Sequence, residues 1–344
     1  MSGRITKIQF DNFGTLPNLI LEKPAGINLV IGENGTGKTF FLKALYSTIR
    51  AMEEYKRGDD IRPLIDILSE KLRWTFQVEK LGDLVTRGSS EPLAFCMEME
   101  LDEQNVRYTF SQNAVSKVGT VTSIESSRAA NSVFIPAKEV LSLYSVILKS
   151  REIDQSFGFD DTYYDLARAL RIAPKRGRNY SVFSHSRKIV KDVISGKVDI
   201  DERSGKWYYK DANNYRFAIG ATSEGVKKIA ILDRLLSNGY LDSRSVIIID
   251  EVDSTLHPDA ICKFLDMIYD ISDKMGIQFF LSSHSYFVIK KLALIAAKKP
   301  GLVTCVSLHK DRTYDIHDLH DGMPDNTIID ASIRLYEQEI EEGL

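Results

Sequence analysis

Residues 32–39 read Gly-Glu-Asn-Gly-Thr-Gly-Lys-Thr, which matches the spacing G-x-x-x-x-G-K-[ST]. Glycines let the backbone curl so that several N–H groups point at one anion, and a helix N-terminus adds partial positive charge. Lys38 is then expected to reach the β- and γ-phosphates, and the Thr39 hydroxyl to bind Mg²⁺. The segment therefore predicts a loop that holds a nucleoside triphosphate. The residues predicted to contact this ligand are Gly32, Asn34, Gly35, Thr36, Gly37, Lys38, Thr39 and Phe40.

An acidic pair, Asp250 and Glu251, follows the apolar run Val246–Ile249. An unbroken apolar run is typical of a strand that is buried on both faces. At the end of a parallel strand beside the glycine loop, Asp250 can bind Mg²⁺ through water, and Glu251 can polarise the attacking water. The alternative is a strand that ends in a solvated acidic turn. The pattern favours Asp250 as a metal ligand, together with Thr39, and Glu251 as a catalytic residue.

A histidine follows the next apolar run along the chain. The stretch 276–285 begins apolar and ends in polar residues, among them Ser282, Ser283 and His284. A histidine at this place can hydrogen-bond the γ-phosphate and sense its loss. Most histidines after strands have no role in chemistry, but the position one helix after the acidic pair favours a catalytic role for His284.

A second anion site is predicted far from the glycine loop in sequence. Ser223, Glu224 and Gly225 open a segment, residues 226–236, with apolar residues at helical spacing. Ser223 is predicted to be the N-cap of this helix, with a free helix N-terminus beyond it. Such a terminus attracts anions, although helix capping by itself would also explain the serine.

The elements that must position these groups follow from periodicity. Residues 27–31 predict a short buried strand before the glycine loop, and residues 41–52 carry apolar side chains at helical spacing after it. Residues 91–110 alternate apolar and polar side chains around Asp-Glu-Gln-Asn, which predicts a β-hairpin. Residues 139–197 predict mainly helices. Residues 196–220 predict short antiparallel strands, with turns at Glu-Arg-Ser-Gly-Lys and Asp-Ala-Asn-Asn.

Bulk properties limit the class of protein. The chain has 344 residues, of which 43% are hydrophobic and 27% charged, with a formal net charge of −3, as is ordinary for a soluble globular protein. Three widely spaced cysteines without a CxxC pair argue against a disulfide framework or a structural zinc site. No apolar run is long enough for a signal peptide or a membrane span. A cytoplasmic protein without membrane association is expected.

The order of these motifs resembles that of ABC-type ATPases: glycine loop, Ser-x-Gly helix, acidic strand end, Asp-Ser-Thr-Leu-His-Pro, and a strand followed by histidine. The phrases SEGVKK, DEVDSTLHPD and DGMPDNTIIDASIRLYEQE look most like the RecF/SMC/OLD-like branch. Within that branch they are similar to the compact AAA-family ATPases of bacterial anti-phage and toxin–antitoxin operons. The resemblance covers residues 4–55 and 130–340.

The resemblance implies a fold and a division into domains. The expected fold is α/β, an ABC-type ATPase head with a mixed central sheet and an antiparallel β subdomain, plus an inserted helical lobe. Residues 1–138 would form the first half of the core, with the glycine loop. Residues 139–215 would form the inserted lobe with a β-hairpin, and residues 216–344 the second half of the core.

The resemblance also implies how the sites work. Two protomers would sandwich two molecules of ATP with Mg²⁺ head to tail. Ser223, Glu224 and Gly225 of one protomer would close on the γ-phosphate that Lys38 of the other protomer holds. The loop that crosses the interface would contain Asp253, Ser254 and His257. A homodimer or higher homo-oligomer is therefore expected.

Two departures from the ABC-type pattern stand in the sequence. The strand that usually ends in a glutamine here offers Lys138 and Glu139, either of which can touch Mg²⁺ or the phosphates. The usual Leu-Ser-Gly-Gly-Gln signature is reduced to Thr-Ser-Glu-Gly-Val. Both changes suit the RecF/OLD-like branch better than a transporter subunit.

Three weaker signals leave alternatives open. Residues 174–188 group five basic residues with Tyr180 and Phe183, which fits either contact with a nucleic-acid backbone or a solvated loop. Residues 309–321 hold three histidines and several aspartates, which are metal-ligand types but also fit a closing hairpin. Phe10 or Phe13 can stack on the base of a nucleotide or belong to the core.

The leading functional hypothesis is an ATP-hydrolysing molecular switch that dimerises around ATP. Its expected partner is a separate effector protein, a nuclease or toxin, in bacterial anti-phage defence. One alternative is a RecF-like DNA-repair ATPase that binds DNA directly. The other is a structural scaffold that ATP stabilises, with turnover incidental.

Overall fold

The computed structural model describes residues 3–100, 105–173, 194, 196–201 and 203–343. In chain order its strands are β1 Ile5–Asp11, β2 Leu19–Glu22, β3 Ile27–Gly32, β4 Leu93–Met99, β5 Asn105–Phe110, β6 Thr120–Val121, β7 Val133–Ile135, β8 Gly196–Asp201, β9 Lys206–Asp211, β10 Arg216–Ala218, β11 Val246–Ile249, β12 Gln278–Ser282, β13 Val303–Leu308 and β14 Tyr314–Asp318. Its helices are α1 Lys38–Glu54, α2 Leu64–Phe76, α3 Tyr144–Glu152, α4 Asp161–Arg171, α5 Glu224–Ser237, α6 Pro258–Met275, α7 Tyr286–Lys298 and α8 Thr327–Glu341. Among these described helices, none is both long enough and apolar enough to cross a bilayer.

A six-stranded sheet in the order β14-β13-β3-β12-β11-β7 carries the predicted chemical residues. Five of its strands run parallel, and β14 pairs antiparallel with β13 at one edge. The strands β3, β11 and β12 are buried along their whole length, as expected for strands with both faces covered. Because parallel strands point the same way, the residues after β3, β11 and β12 lie at one end of the sheet.

Two apolar cores pack against the opposite faces of this sheet. Successive residues of a strand point to opposite faces, and β3 shows this directly. Leu29 belongs to a core shared with α4, α5, α6 and α7, whereas Val30 belongs to a core shared with α1, α2 and a second sheet. The central sheet therefore lies between two cores. Its strands need apolar side chains on both faces, which explains their unbroken apolar sequences.

The second sheet is antiparallel and has the strand order β2-β1-β4-β5-β6. β4 and β5 pair from Leu93 opposite Phe110 to Glu98 opposite Asn105, which confirms the predicted hairpin. Phe10 is fully buried in the core under this sheet, and its ring lies 5.9 Å from that of Phe13, which is also fully buried. Both phenylalanines are core residues, and neither ring is available to stack on a base.

The segment between β7 and α5 is only partly helical. α3 and α4 are two of the helices predicted in residues 139–197, while residues 174–193 and 195 lie outside the described residues. The basic segment 174–188 also lies outside them. The stretch predicted as short strands forms a three-stranded antiparallel sheet, β10-β9-β8, so the expected hairpin has one more strand.

The histidine-rich stretch near the C-terminal end is a hairpin, as one of its two interpretations predicted. β13 and β14 pair from Thr304 opposite Asp318 to Leu308 opposite Tyr314. His309 Nε2 lies 2.9 Å from Asp315 Oδ2 across the turn. Within the described ranges, no group of three or more metal-ligand side chains comes together. The hairpin thus accounts for these residues.

A buried ion network fixes the end of α1 to the starts of two strands of the central sheet, β7 and β11. Glu53 is fully buried and accepts hydrogen bonds from Arg50 at 2.7 Å and from the Ser132 N–H at 3.0 Å. Glu53 also pairs with Arg128, which donates to the carbonyl oxygen of Arg244. Ser132 precedes β7 and Arg244 precedes β11. Because buried charges are costly unless they are paired, this network holds both strands in place relative to α1.

Candidate nucleotide-binding site

The glycine loop joins β3 to α1 and needs glycine at two points. Gly32 has φ 148° and Gly37 has φ 103°, values that residues with a side chain rarely adopt. A Cβ on Gly32 would lie 2.4 Å from the carbonyl oxygen of Leu308, and a Cβ on Gly37 would lie 2.8 Å from Leu16 Cδ2. The loop therefore curls where only backbone fits. The N–H groups in the first turn of α1 have no partner within the helix and can bind an anion.

Lys38 is the first residue of α1 and is almost fully buried. Its Nζ donates to the carbonyl oxygens of Gly32 and Glu33, each at 2.8 Å. Burial lowers the pKa of Lys38 to about 8, although the charges of Asp250 and Glu251 oppose the shift. A partly desolvated ammonium group interacts more strongly with an anion than a fully hydrated one does. The position therefore suits contact with phosphate oxygens.

Thr39 and Asp250 are 211 residues apart in sequence and meet in the structure. The Thr39 hydroxyl lies 3.0 Å from each carboxylate oxygen of Asp250. Ser282, the last residue of β12, donates to Asp250 Oδ1 at 2.6 Å and so orients the carboxylate. Hydroxyl and carboxylate oxygens are the ligands that Mg²⁺ prefers, and the donor set fits the metal that the sequence predicts.

Glu251 has a left-handed backbone, with φ 46°. For a residue with a side chain this conformation is unfavourable, and it persists only where the surroundings hold it. The Glu251 N–H donates to the Ser282 hydroxyl at 2.7 Å, and its carbonyl oxygen accepts from Lys228 at 2.7 Å. Within the described part of the chain its carboxylate makes no hydrogen bond or ion pair. The backbone is thus fixed, while the carboxylate can accept a hydrogen bond from water.

His284 follows β12 and is half-buried near the same residues. Burial lowers its pKa below the usual 6.5, the charge of Lys38 lowers it further, and nearby carboxylates oppose the shift. The imidazole is therefore mostly neutral at pH 7, and its N–H can donate a hydrogen bond. This state suits contact with a phosphate oxygen.

Lys228 on α5 is a site residue that sequence reasoning did not single out. Its side chain is buried, and Nζ donates to the Glu251 carbonyl oxygen at 2.7 Å and to Ser254 Oγ at 2.8 Å. Burial lowers its pKa to about 8, against the charges of nearby carboxylates. The available signal was a lysine inside the apolar pattern of a helix, because a charge there needs buried partners.

Replacing Lys228 by methionine is expected to lower kcat for ATP by about tenfold or more, with KM changed by less than about threefold. We expect kcat to change more than KM because Lys228 holds the backbone of Glu251 and is not expected to contact the nucleotide. Steady-state phosphate release and equilibrium binding of a fluorescent ATP analogue measure the two effects. Lys290→Met, an exposed lysine on α7, is the control. A rise in KM at unchanged kcat would exclude this positioning role.

Ser223, Glu224 and Gly225 stand at the start of α5, but the serine side chain makes no capping hydrogen bond. Ser223 is the N-cap residue of this helix, which confirms the prediction; its hydroxyl does not bond the first turn, and the residue is exposed. Glu224 accepts from Lys227 at 2.8 Å. A Cβ on Gly225 would lie 2.6 Å from Leu256 Cδ2, so glycine lets α5 pack closely on the acidic loop.

The loop after Glu251 is fixed by neighbouring elements. Asp253 accepts from Ser283 Oγ at 2.6 Å, and Ser254 Oγ donates to the Ala137 carbonyl oxygen at 3.3 Å. His257 is the N-cap of α6 and accepts through its side chain from the Asp259 N–H at 3.3 Å. That this loop crosses an interface between protomers stays a prediction.

Lys138 and Glu139, which stand where a glutamine is expected, differ in environment. Lys138 is exposed. Glu139 accepts from the Ser142 N–H at 3.0 Å and lies 3.7 Å from Lys227 Nζ. Glu139 therefore connects the segment after β7 to α5, and this pairing competes with a role as a ligand of Mg²⁺.

The remaining residues of the glycine loop differ in what they can offer. Asn34 and Gly35 are exposed, whereas Thr36 is buried and donates to the Glu33 carbonyl oxygen at 2.9 Å. The ring of Phe40 packs against that of Phe76, with centroids 4.5 Å apart. Only the backbone N–H of Phe40, in the first turn of α1, is placed for contact with a phosphate.

The structure thus gathers Lys38, Thr39, Asp250, Glu251 and His284 at one end of the central sheet. It does not join Ser223, Glu224 or Gly225 to them, since no hydrogen bond connects this group to the glycine loop within the described residues. The two predicted anion sites on one chain are therefore separate groups of donors.

Comparisons with known proteins bear on the fold and family. A family model described as "AAA domain, putative AbiEii toxin, Type IV TA system" matches residues 27–290. No curated protein matches the chain. Among solved structures, the SmcHead bound to the C-winged helix domain of ScpA has 13% identity and a TM-score of 0.53, over 91% of this chain and 97% of that chain.

Two further solved structures are similar over most of their length. The Smc head domain with an extended coiled coil, bound to the C-terminal domain of ScpA and derived from Pyrococcus furiosus, has 12% identity and a TM-score of 0.50, over 97% of this chain and 98% of that chain. The recombination mediator protein RecF with ATP has 16% identity and a TM-score of 0.44, over 92% and 99%. The Smc heads show the fold alone, and they confirm the predicted α/β head with a mixed central sheet.

Proposed function

The chain belongs to the ABC-type P-loop ATPase family described as "AAA domain, putative AbiEii toxin, Type IV TA system", and from this premise we propose that it is an ATP-hydrolysing molecular switch. The observation that carries the proposal is the contact between the Thr39 hydroxyl and Asp250 at 3.0 Å, next to the available carboxylate of Glu251. This contact joins the phosphate-binding loop to the acidic strand end, which are the two parts that hydrolysis requires.

Binding of ATP is proposed to use the glycine loop and Lys38. The backbone N–H groups of residues 34–40 surround the phosphates, and Lys38 exchanges its carbonyl partners for phosphate oxygens. Thr39 and Asp250 would hold Mg²⁺, which would neutralise charge on those oxygens. The buried position of Lys38 makes its contact with phosphate stronger than that of a surface lysine.

Hydrolysis is proposed to depend on Glu251 and His284. The Glu251 carboxylate accepts a hydrogen bond from the attacking water and orients it, while the left-handed backbone fixes where the side chain begins. The neutral His284 donates a hydrogen bond to the γ-phosphate and loses that partner when phosphate leaves. Lys228 keeps Glu251 in place throughout and contacts no reacting atom.

Dimerisation is proposed to complete the site. The exposed hydroxyl of Ser223 and the open N-terminus of α5 bind the γ-phosphate held by Lys38 of a second protomer. ATP thereby favours a closed homodimer, which can be part of a higher homo-oligomer, and hydrolysis returns it to the open state. Support comes from the exposure of Ser223 and from the absence of a capping bond on its hydroxyl.

The closed dimer is proposed to control a separate effector, a nuclease or toxin, in cytoplasmic anti-phage defence. The family description, which names a toxin and a toxin–antitoxin system, supports a role in such an operon. The three cysteines are free thiols, which fits a reducing compartment. We retain 1–138, 139–215 and 216–344 as the proposed division into first core half, inserted lobe and second core half.

The test is the mass of the wild-type protein by light scattering, with Mg²⁺ and either ATP, ADP or a non-hydrolysable ATP analogue. We expect the analogue to give twice the 38.9 kDa mass of one chain, and ADP to give the mass of the nucleotide-free protein. Phosphate release should rise more than linearly with protein concentration, because two chains form each site. A turnover per chain that is independent of concentration, with no change of mass, would contradict the proposal.

A further inference from the structure

α8 contacts the rest of the described molecule through its first part and projects from it beyond that part. Asn326 is its buried N-cap, and the Asn326 side chain accepts a hydrogen bond from the Ile328 N–H at 3.1 Å. Ile328 and Ile329 are half-buried and pack against the core on one face of the central sheet. From Ile333 to Gly343 every residue is exposed. The direction of α8 is therefore fixed at its start, while its second half lies in solvent.

An apolar stripe, formed by Ile333, Tyr336 and Ile340, lies along this exposed half. The three residues are 50%, 64% and 62% exposed. Steps of three and four residues place side chains on one side of a helix, so the stripe continues the line that begins at the half-buried Ile329. A repeat of about 3.5 residues is the one with which one α-helix packs along another. The stripe thus has the spacing of a helix-packing seam, and no described element covers it.

Folding of the chain does not account for the apolar stripe. Helices shorter than about 12–15 residues are marginal in water, and most helical stability in proteins comes from packing of an apolar face. Residues 333–341 of α8 pack no such face against the described residues. Burial of three large apolar side chains against another surface would remove them from water and hold this half of the helix in place. The apolar stripe is therefore expected to have a partner.

Carboxylates border the apolar stripe on both sides. Asp330, Glu337 and Glu339 occupy the positions at which charged residues of two paired helices face each other. None of the three makes an ion pair within the described residues. A second copy packed along the same stripe would place these carboxylates next to identical carboxylates, and like charges across such a seam select against pairing. The complementary surface therefore carries lysine or arginine beside apolar residues.

We propose that α8 is a docking helix for a basic amphipathic helix of a different protein. The apolar stripe packs against the apolar side of that helix, and Asp330, Glu337 and Glu339 pair with its lysines and arginines. The apolar contacts supply affinity, while the charges select the partner and its orientation. Nucleic acids and anionic membranes do not fit this surface, because the same carboxylates repel them.

The place of α8 in the fold links this surface to the candidate site. α8 packs beside α7, and α7 begins at Tyr286, two residues after His284. One helix therefore separates the docking helix from the histidine proposed to contact the γ-phosphate. We identify the docked protein with the separate effector, an identification that rests on the proposed function, whereas docking itself does not.

The test measures binding of two fluorescently labelled synthetic peptides to the full chain by anisotropy, without nucleotide. Both peptides have about three heptads with isoleucine and leucine along the seam, and they carry either lysine or glutamate at the flanking positions. We expect the wild-type protein to bind the lysine peptide at least about tenfold more tightly than the glutamate peptide, because only the lysine peptide complements the acidic flanks. Ile333→Ser should weaken binding of the lysine peptide by about tenfold, since an apolar contact of the seam is lost.

Matched controls separate the apolar stripe and its flanks from changes in composition and net charge. Leu335→Ser makes the same kind of change on the opposite side of α8, where Leu335 is 70% exposed, and should bind the lysine peptide as the wild type does. Glu337→Lys/Glu339→Lys should reverse the preference between the two peptides. Glu341→Lys/Glu342→Lys changes the net charge equally at exposed positions that do not flank the stripe and should keep the wild-type preference. Melting temperature and ATP turnover should be unchanged in all of these variants.

Several outcomes would overturn the inference. These are a wild-type protein that binds neither peptide or binds both equally, and an equal loss of affinity in Ile333→Ser and Leu335→Ser. A wild-type protein that is dimeric without nucleotide, together with an Ile333→Ser variant that is monomeric, would assign the apolar stripe to a second copy of this chain. Failure of docking leaves ATP turnover intact, whereas failure of the ATPase proposal would appear as absent turnover in a protein that still binds the lysine peptide.

Discussion

Replacement of Glu251 by glutamine is expected to lower ATP turnover by about 100-fold or more, while ATP remains bound between two protomers. The Glu251 carboxylate directly follows Asp250 in the chain and makes no hydrogen bond or ion pair within the described residues. Glutamine keeps the shape of the side chain and the left-handed backbone, but it cannot accept a proton from water. The barrier to hydrolysis rises, while the contacts that bind the phosphates are unchanged.

The measurements are single-turnover phosphate release and light scattering of the Glu251→Gln protein with ATP and Mg²⁺. Mass should remain at twice that of one chain for as long as ATP is present. Glu339→Gln, at an exposed position of α8, should match the wild type in both assays. If Glu251→Gln hydrolyses ATP at the wild-type rate, Glu251 is not the general base. If it fully retains control of the effector without turnover, the scaffold hypothesis is favoured over the switch.

Replacement of Lys38 by alanine is expected to weaken ATP binding by about 100-fold, and with it to abolish dimerisation and turnover. The ammonium group is nearly buried, with the exposed fraction of the residue at 7%, and it lies among the carbonyls of the phosphate-binding loop. Its removal leaves those carbonyl oxygens without this donor and takes away the cation nearest to the β- and γ-phosphates.

Isothermal titration calorimetry with ATP and Mg²⁺ measures this loss, and the ATP-induced rise in melting temperature gives a second readout. Lys56→Ala, at an exposed position just after α1, should bind ATP as the wild type does. Wild-type affinity in Lys38→Ala at an unchanged melting temperature would mean that the nucleotide binds elsewhere on the chain. A folding defect would instead lower the melting temperature in the absence of ATP.

The alternative of a RecF-like ATPase that binds DNA directly rests on residues 174–188, which lie outside the described residues.

Several site residues were predictable because their signals are local in sequence. The spacing of Gly32, Gly37, Lys38 and Thr39 predicts a loop whose tight turns leave no room for side chains at the two glycines. The structure shows positive φ at both glycines. The apolar run before Asp250 predicted a buried parallel strand, and β11 is one. Each signal lies within about ten residues, so that one strand, one loop and one helix suffice to specify it.

Other site features depend on contacts between distant segments. In the sequence Lys228 is one more charge on a predicted helix; in the structure α5 packs on the acidic loop, and Lys228 Nζ donates to the Glu251 carbonyl oxygen. In the sequence Ser282 is only a polar residue at the end of a strand. In the structure its hydroxyl donates to Asp250 and accepts from the Glu251 N–H. Phe10 and Phe13 carried no local sign of whether they face a ligand or the core, and packing placed both in the core.

The sequence by itself determined the chemical groups and the order in which they occur, because glycine spacing, apolar runs and caps act over a few residues. Only the tertiary structure decided which of these groups meet. Parallel pairing of β3, β12 and β11 brings Thr39 to Asp250 across 211 residues. Strand pairing relates residues by register and not by distance along the chain, so its consequences cannot be read from any single segment.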